Sequence, residues 1–527
     1  MLIPERSQSK NTVLQAGTAV LLFIILAYLF TFIRKIGLHG DEAFFGLDAI
    51  DVLKNGLTRL YGLNKYTGIL QTMMNAMFFR LGGIDIYTLR LGGILCNTTG
   101  LLLIIYVLRQ RHGTLSAFVF LLLFAQSAFL LTYAKVAWEV CTFNLLFIGL
   151  LLFAFQHLDQ KRASNQVGYR ILFLSAAMMG AYNHILFSSL LLTAAISIPL
   201  WQILSNSKPT KCVDQFCTLV LLALFNITAV FGLMNLFIDT VWQKLGILTF
   251  ALPTLLIIPQ AIFFRHLPSP LQWINYLYFK IKIPLNLSKL LTIVFFLAIF
   301  TKVHSLKFLD ILSHRVLFLR VFSFELPGML SYFFILSAMI LISTGIFHAV
   351  RELLSRKTSF QTYFIIVYLF VICLYTRGAS IRYFHILTVL LFLYLAVNVV
   401  WQQRILTSIF VFTLTMNMVI TQGLLWNLNL DHQRPVRPFR FKIGISSHET
   451  SAHFLNFSPV VETLKKHKVG KINTDSDFFI GNVFQFYRYT DDEIGLLNGT
   501  ATVEYDFRNA GTGFKIVIDG KVMNESQ

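Results

Sequence analysis

Residues 12–51 read TVLQAGTAVLLFIILAYLFTFIRKIGLHGDEAFFGLDAID. The first 22 positions, through Ile33, carry no charged side chain. A helix needs roughly 20 mostly apolar residues to cross a bilayer, so this run is long enough. Arg6 and Lys10 precede it and no small-residue cleavage site follows, which predicts an uncleaved anchor with a cytoplasmic N-terminus. Beyond it the pattern changes. Two acids, Asp41 and Glu42, follow His39-Gly40, and Phe44, Leu47, Ile50 and Leu53 then recur at helical spacing. Asp48 and Asp51 share the polar side, and Asn55-Gly56 is a stop signal. The spacing predicts a helix lying at the membrane surface.

The rest of the chain repeats the first theme. Of its 527 residues 56% are apolar and 13% charged, against about 25% charged in an ordinary soluble domain. That excludes a soluble globular protein, a disordered chain and a disulfide scaffold. Further apolar runs cover residues 86–108, 114–132, 140–157, 170–183, 185–204, 213–238, 246–264, 287–303, 328–347, 361–376, 383–400 and 405–423, which makes 13 expected spans with the first. The pair 170–183 and 185–204 equally fits one helix broken at Asn183-His184. An odd number of spans puts the C-terminus opposite the N-terminus. Arg109, Arg111, Lys161, Arg162, Arg351 and Arg404 on short connections agree with that orientation.

The formal charge is +19, while residues 431–527 carry 12 basic and 12 acidic side chains. The excess therefore lies in the membrane part. It orients the chain, and on the outer face it suits an anionic ligand. No basic stripe of the nucleic-acid-binding kind is visible. Cys96, Cys141, Cys212, Cys217 and Cys373 sit in or beside apolar runs without CxxC spacing, so no zinc site or disulfide is expected, and no convincing metal set occurs elsewhere. Two domains are expected. Residues 1–423 form the membrane domain, with a first outer loop at 34–85. Residues 424–527 form a small extracytoplasmic α/β domain, with a helix over 459–468 and strands near 441–445, 469–473 and 514–518.

Three clusters could carry chemistry. Asp41 has a capping reading, with Glu42 complementing the helix dipole, and a functional one as a carboxylate held at the water–membrane boundary. Glu139, in Tyr133-Ala-Lys135-Val-Ala-Trp138-Glu139, borders an apolar helix where an unpaired charge is costly. An i, i+4 pair with Lys135 would explain it equally well. Arg377 and Arg382, in Tyr375-Thr-Arg377-Gly-Ala-Ser-Ile-Arg382-Tyr383, suit a lipid phosphate because the guanidinium fork donates bidentately. Snorkelling to ordinary headgroups is the plain alternative. Arg90 has a similar position at the start of the second span. His184, at the end of the fifth, reads as an interfacial polar residue or a ligand.

Taken in order, these blocks resemble the membrane glycosyltransferases that use polyprenyl-phosphate sugars. These form the GT-C class, which includes protein O-mannosyltransferases and lipid A aminoarabinose transferases. The resemblance rests on His39-Gly-Asp41-Glu42-Ala after the first span, Ile69–Leu81 before Gly82, Tyr87-Thr-Leu-Arg90-Leu, Tyr133-Ala-Lys135 with Glu139, and Arg382-Tyr383 before a late span. It covers roughly residues 12–400. The chain departs from the family at Lys65-Tyr66-Thr67, where Lys-Pro-Pro is common, and at Lys135, where Arg is common. The resemblance implies a GT-C fold with outer interfacial helices. It also implies an inverting transfer of sugar from a polyprenyl-phosphate donor to a hydroxyl of a protein, lipid or glycan acceptor, outside the plasma (inner) membrane. Asp41 would be the general base, with Glu42 and Glu139 orienting sugar or acceptor. Arg382, with Arg377 or His184, and Arg90 and Lys135 nearby, would hold the phosphate. No cofactor or metal is implied with certainty. A lipid-linked-sugar flippase is the rival class; it would more usually show internal repeats or charges near mid-membrane.

Overall fold

The computed structural model describes residues 5–34, 36–57, 59–64, 66–159, 166–205, 211–236, 246–264, 311–314, 317–318, 326–354, 359–375, 381–398, 404–430, 457–474, 480–490, 497, 499–505, 514–518 and 521–525. The chain is mostly helical. The first helix, α1 (Glu5–Phe30), is followed by α2 (Gly40–Asn55) and α3 (Leu70–Gly82), the two helices of the first long loop. α4 (Ile86–His112) returns through the bundle, and α5 (Thr114–Gln126) and α6 (Ala128–Tyr133) run back. Then come α7 (Glu139–Thr142), α8 (Asn144–Asp159), α9 (Gln166–Asn183), α10 (Ser188–Ser205), α11 (Lys211–Leu236) and α12 (Gly246–Phe263). The later helices are α13 (Gly328–Leu354), α14 (Phe360–Tyr375), α15 (His385–Asn398) and α16 (Arg404–Leu430).

Among the described residues seven helical stretches are long and apolar enough to cross a membrane, and three shorter apolar helices accompany them. The molecule is an integral membrane protein. The expected run at 287–303 lies outside the described residues. The expected 114–132 span is broken at Ser127, whose hydroxyl accepts from the Leu130 amide at 3.2 Å and starts α6. The ambiguity at Asn183-His184 resolves into two helices, α9 and α10, separated by a 3-10 turn over Ile185–Phe187.

Small residues permit a close helix crossing. A Cβ on Gly100 of α4 would lie 2.2 Å from the Leu145 carbonyl carbon of α8, and one on Gly149 would lie 2.8 Å from the Gly100 oxygen. The two backbones touch, as small residues allow between membrane helices.

The chain ends in a sheet. α17 (Ser458–Lys466) leads into β1 (Val469–Asn473), and α18 (Asn482–Thr490) crosses over to β2 (Gly499–Tyr505), which lies parallel to β1. β3 (Phe514–Ile518) and β4 (Lys521–Glu525) follow antiparallel, giving the order β1-β2-β3-β4. The strands expected at 469–473 and 514–518 appear with those bounds; the one at 441–445 lies outside the described residues. This unit rests on the first loop. Ala43, Ala49 and Ile50 of α2 and Phe79 of α3 share one apolar core with Val483, Phe484 and Phe486 of α18. Gly46 faces Phe486 so closely that a Cβ would meet its ring at 2.4 Å.

Candidate active site

The site begins with a cap. The N-cap of α2 is His39, whose Nδ1 accepts from the Asp41 amide at 3.0 Å, while Glu42 Oε2 accepts from the His39 amide at 3.2 Å. This is a capping box with an imidazole where Ser or Thr is usual. The capping reading of Asp41 is therefore corrected: Asp41 is the second helical residue, and its carboxylate has no capping duty. Because His39 Nδ1 accepts from an amide, it is the unprotonated nitrogen, so the 3.9 Å approach of Asp41 to it is not an ion pair.

Glu42 faces inward. Arg90 grips it with two bonds, Nε to Oε1 at 3.0 Å and Nη2 to Oε2 at 2.8 Å, and the Ala137 amide donates to Oε1 at 2.7 Å. The rest of the guanidinium donates to the carbonyls of Ile33, Ile36 and Gly37, each at 2.8 Å. A guanidinium has five N–H groups, and all five are engaged inside the protein. Both side chains are fully buried. Arg90 therefore belongs to the scaffold, where the sequence reading had it as a phosphate contact. It clamps the end of the first span, the start of α2 and the Ala134–Trp138 turn together.

Lys135 is corrected in the same way. Its ammonium donates to the Thr31 carbonyl at 2.6 Å and the Tyr28 carbonyl at 3.1 Å, and it lies 4.2 Å from the Tyr28 ring centroid. It caps the C-terminal end of α1, where a cation is favoured. Among the described residues no ion pair links it to Glu139, since the chain leaves helical geometry between α6 and α7.

Asp41 points the other way, toward the turn that precedes α15. Its Oδ2 accepts from Arg382 Nη1, and the pair is nearly buried, with side-chain exposures of 4% and 15%. Arg382 lies 4.2 Å over the Trp138 ring and 5.1 Å from that of Tyr383, and its Nη2 donates to the Tyr383 hydroxyl at 3.4 Å. Trp138 also stacks on His39, with centroids 4.2 Å apart. The cation thus rests on an aromatic shelf that also touches the cap of α2. An arginine so placed is held by its flat faces and keeps its edges for anions.

Glu139 starts α7 within electrostatic reach of Asp41 and Arg382. Its Oε2 is buried without a hydrogen-bond partner among the described residues. Its carbonyl accepts from Asn183 Nδ2 at 2.6 Å, which brings the end of α9 to the site. His184 follows. Its Nδ1 accepts from the Leu186 amide at 3.1 Å, and burial, with Arg382 adding, pushes the imidazole down to about 3. It is neutral at working pH and carries its proton on Nε2. Tyr66 completes the group. It packs edge-on against His184, and burial, with Tyr383 next, raises its hydroxyl to about 12. A bridge between Thr67 and His184 holds it there, and Gly68 passes so near Tyr182 that a Cβ would meet the Tyr182 carbonyl oxygen at 2.5 Å.

Of the eight residues singled out in the sequence, Asp41, Glu139, Arg382 and His184 gather at one place. Glu42, Arg90 and Lys135 brace it from behind, and Arg377 lies outside the described residues. Tyr66 and the shelf role of Trp138 went unassigned. The departure at Lys65-Tyr66-Thr67 was the available signal. Among the described residues no group of three His, Cys, Asp or Glu could hold a metal.

His184 makes the fold acid-sensitive. Its folded value lies below its unfolded one near 6.5, so the unfolded chain takes up a proton that the folded imidazole refuses. The native state loses stability from this group as pH falls from about 6.5 toward 3. The thermal midpoint of the wild type should exceed that of His184→Gln by more at pH 7 than at pH 4. A gap that widens at pH 4 contradicts the assignment.

A long first helix, two loop helices, a bundle of apolar helices and a carboxylate–arginine site make up the described architecture. The chain is similar to the Archaeoglobus fulgidus oligosaccharyltransferase in complex with zinc and sulfate, at 12% identity over 86% of this chain and 55% of that chain, with a TM-score of 0.45. It is also similar to the archaeal oligosaccharyltransferase AglB from the same organism with an inhibitory peptide and a dolichol-phosphate (12% identity, 87% and 58% covered, TM-score 0.44). A third is ArnT from Cupriavidus metallidurans bound to undecaprenyl phosphate (9% identity, 95% and 97% covered, TM-score 0.39). The chain spans about half the length of the oligosaccharyltransferase. No family model and no curated protein matches it.

Proposed function

We propose that this protein transfers a sugar from a polyprenyl-phosphate donor to the hydroxyl of a protein, lipid or glycan acceptor, on the outer face of the plasma (inner) membrane. The supporting observation is the Asp41–Arg382 pair on the Trp138–Tyr383 shelf, at the mouth of a membrane bundle. A base and a phosphate ligand belong to one site there, and a single displacement uses both, on opposite faces of the sugar. The acceptor oxygen attacks the anomeric carbon and its proton passes to Asp41. The bond from that carbon to the phosphate oxygen breaks, and the electron pair leaves on the lipid phosphate beside Arg382. Configuration inverts. The phosphate is already a good leaving group, so a neutral His184 serves as a hydrogen-bond donor and no strong acid is needed. The Arg382 charge is worth more in this nearly buried setting than in water. Glu139 orients the sugar or acceptor, and Glu42 acts from behind by fixing the start of α2.

The test is incubation of purified protein with a panel of polyprenyl-phosphate sugars. Release of polyprenyl phosphate that depends on a hydroxyl acceptor is the expected result. Movement of intact donor across vesicles without release supports the flippase instead.

A further inference from the structure

Arg90 and Arg382 differ in how fully they are satisfied. Arg90 spends five N–H groups on five bonds. Arg382 gives one bond to Asp41 and a long one to Tyr383, and its Nε is buried without a partner among the described residues. The Asp41 carboxylate thus engages one nitrogen of a guanidinium whose other N–H groups are under-used, so an anion drawn to them arrives against a carboxylate already in contact. The phosphodiester of a polyprenyl-phosphate sugar and the monoester released from it both present free oxygens in a geometry that a guanidinium fork matches bidentately, which Asp41, bound to one nitrogen, does not use.

Among the described residues the other cations near this point are committed. Arg90 is bound to Glu42, and Lys135 to backbone carbonyls. Glu139 adds a further carboxyl within reach of the same arginine. A phosphate arriving at Arg382 therefore competes with Asp41 for one positive charge.

We infer that Asp41 holds the anion position of Arg382 while the site is empty, and that a lipid phosphate displaces it, so that loading the phosphate releases the carboxylate to act as base. This rests on the reading of Asp41 as base and Arg382 as phosphate ligand. It adds that the base is masked until a phosphate is present, which protects the site from idle proton exchange and couples donor binding to readiness.

The consequence runs against the usual expectation for a site residue: removing the charge of Asp41 should strengthen phosphate binding. Affinity is measured for undecaprenyl phosphate, with undecaprenol as the phosphate-free control, on the full chain in detergent. Asp41→Asn should bind the phosphate lipid about tenfold more tightly than the wild type, a shift of ~1.4 kcal/mol, with no change for undecaprenol. Arg382→Ala should bind the phosphate lipid more weakly. Equal or weaker binding by Asp41→Asn, with Arg382→Ala still impaired, overturns the exchange and leaves the phosphate assignment standing. Unchanged binding by Arg382→Ala removes the phosphate assignment itself, and the exchange with it. The wild type gives a second reading that needs no folded variant. Undecaprenyl phosphate should shift a carboxylate stretching band in the infrared difference spectrum, and undecaprenol should not. No shift with either lipid counts against the exchange.

Discussion

Arg90→Met is expected to cost ~3–5 kcal/mol, the usual loss when one partner of a buried ion pair is removed. The figure is large because five acceptors lose their donor together: both oxygens of Glu42 and the carbonyls of Ile33, Ile36 and Gly37. Arg90→Lys should recover little, since an ammonium has three N–H groups and no planar fork. Removing Glu42 as well, in Arg90→Met with Glu42→Leu, should recover part of the loss by taking away the stranded charge. The recovery stays partial because the three carbonyls and the amides of Ala137 and His39 lose these partners. Detergent-solubilised thermal unfolding reads all four proteins. A single variant as stable as the wild type would mean that water replaces the guanidinium at little cost, and that the clamp is not what holds α2.

Asp41→Asn should behave in the opposite manner, keeping the fold and losing the chemistry. General-base help is typically worth ~10²–10⁴ in rate, and an amide cannot take the acceptor proton. The cap of α2 belongs to His39, so neither Asp41→Asn nor Asp41→Ala should show the stability loss of a missing cap. Single-turnover release of polyprenyl phosphate, measured beside the thermal midpoint, separates the two effects. Near-normal turnover in Asp41→Asn would shift the role of base to Glu139, whose buried Oε2 has no hydrogen-bond partner among the described residues.

Much of this was legible in the order of residues. Long apolar runs are strong signals, because lipid demands them over a fixed length, and most described helices fall on the expected runs. The strand bounds at Val469–Asn473 and Phe514–Ile518 were equally plain. Direction was not legible. Asp41 and Glu42 are neighbours, yet one faces Arg382 and the other Arg90, since successive helical residues point about 100° apart. Arg90 and Lys135 brace the site from behind, because which way each long side chain turns depends on carbonyls at and just beyond the end of α1. The cap was misassigned because aspartate is the commoner capping residue, and only the fold reveals an imidazole taking the place. Tyr66 was given no role because it is held at the site by the bridge of its neighbour Thr67 to His184, 117 positions from Thr67 in sequence.

The seat of Phe486 against Gly46 bears on how the protein is made. α2 leaves the ribosome well before α18, and Lys54 must wait for Tyr489, 435 residues later, to complete its contact at 3.3 Å. At ~5–20 residues per second, roughly 20–90 s pass between the two. Throughout that interval the face of α2 that receives α18 is bare, with Ala49 and Ile50 among its uncovered apolar side chains. A nascent chain in this state has its capped helix formed but no cover over the helix that carries its acids, so that part of its assembly waits for a segment synthesised more than 400 residues later.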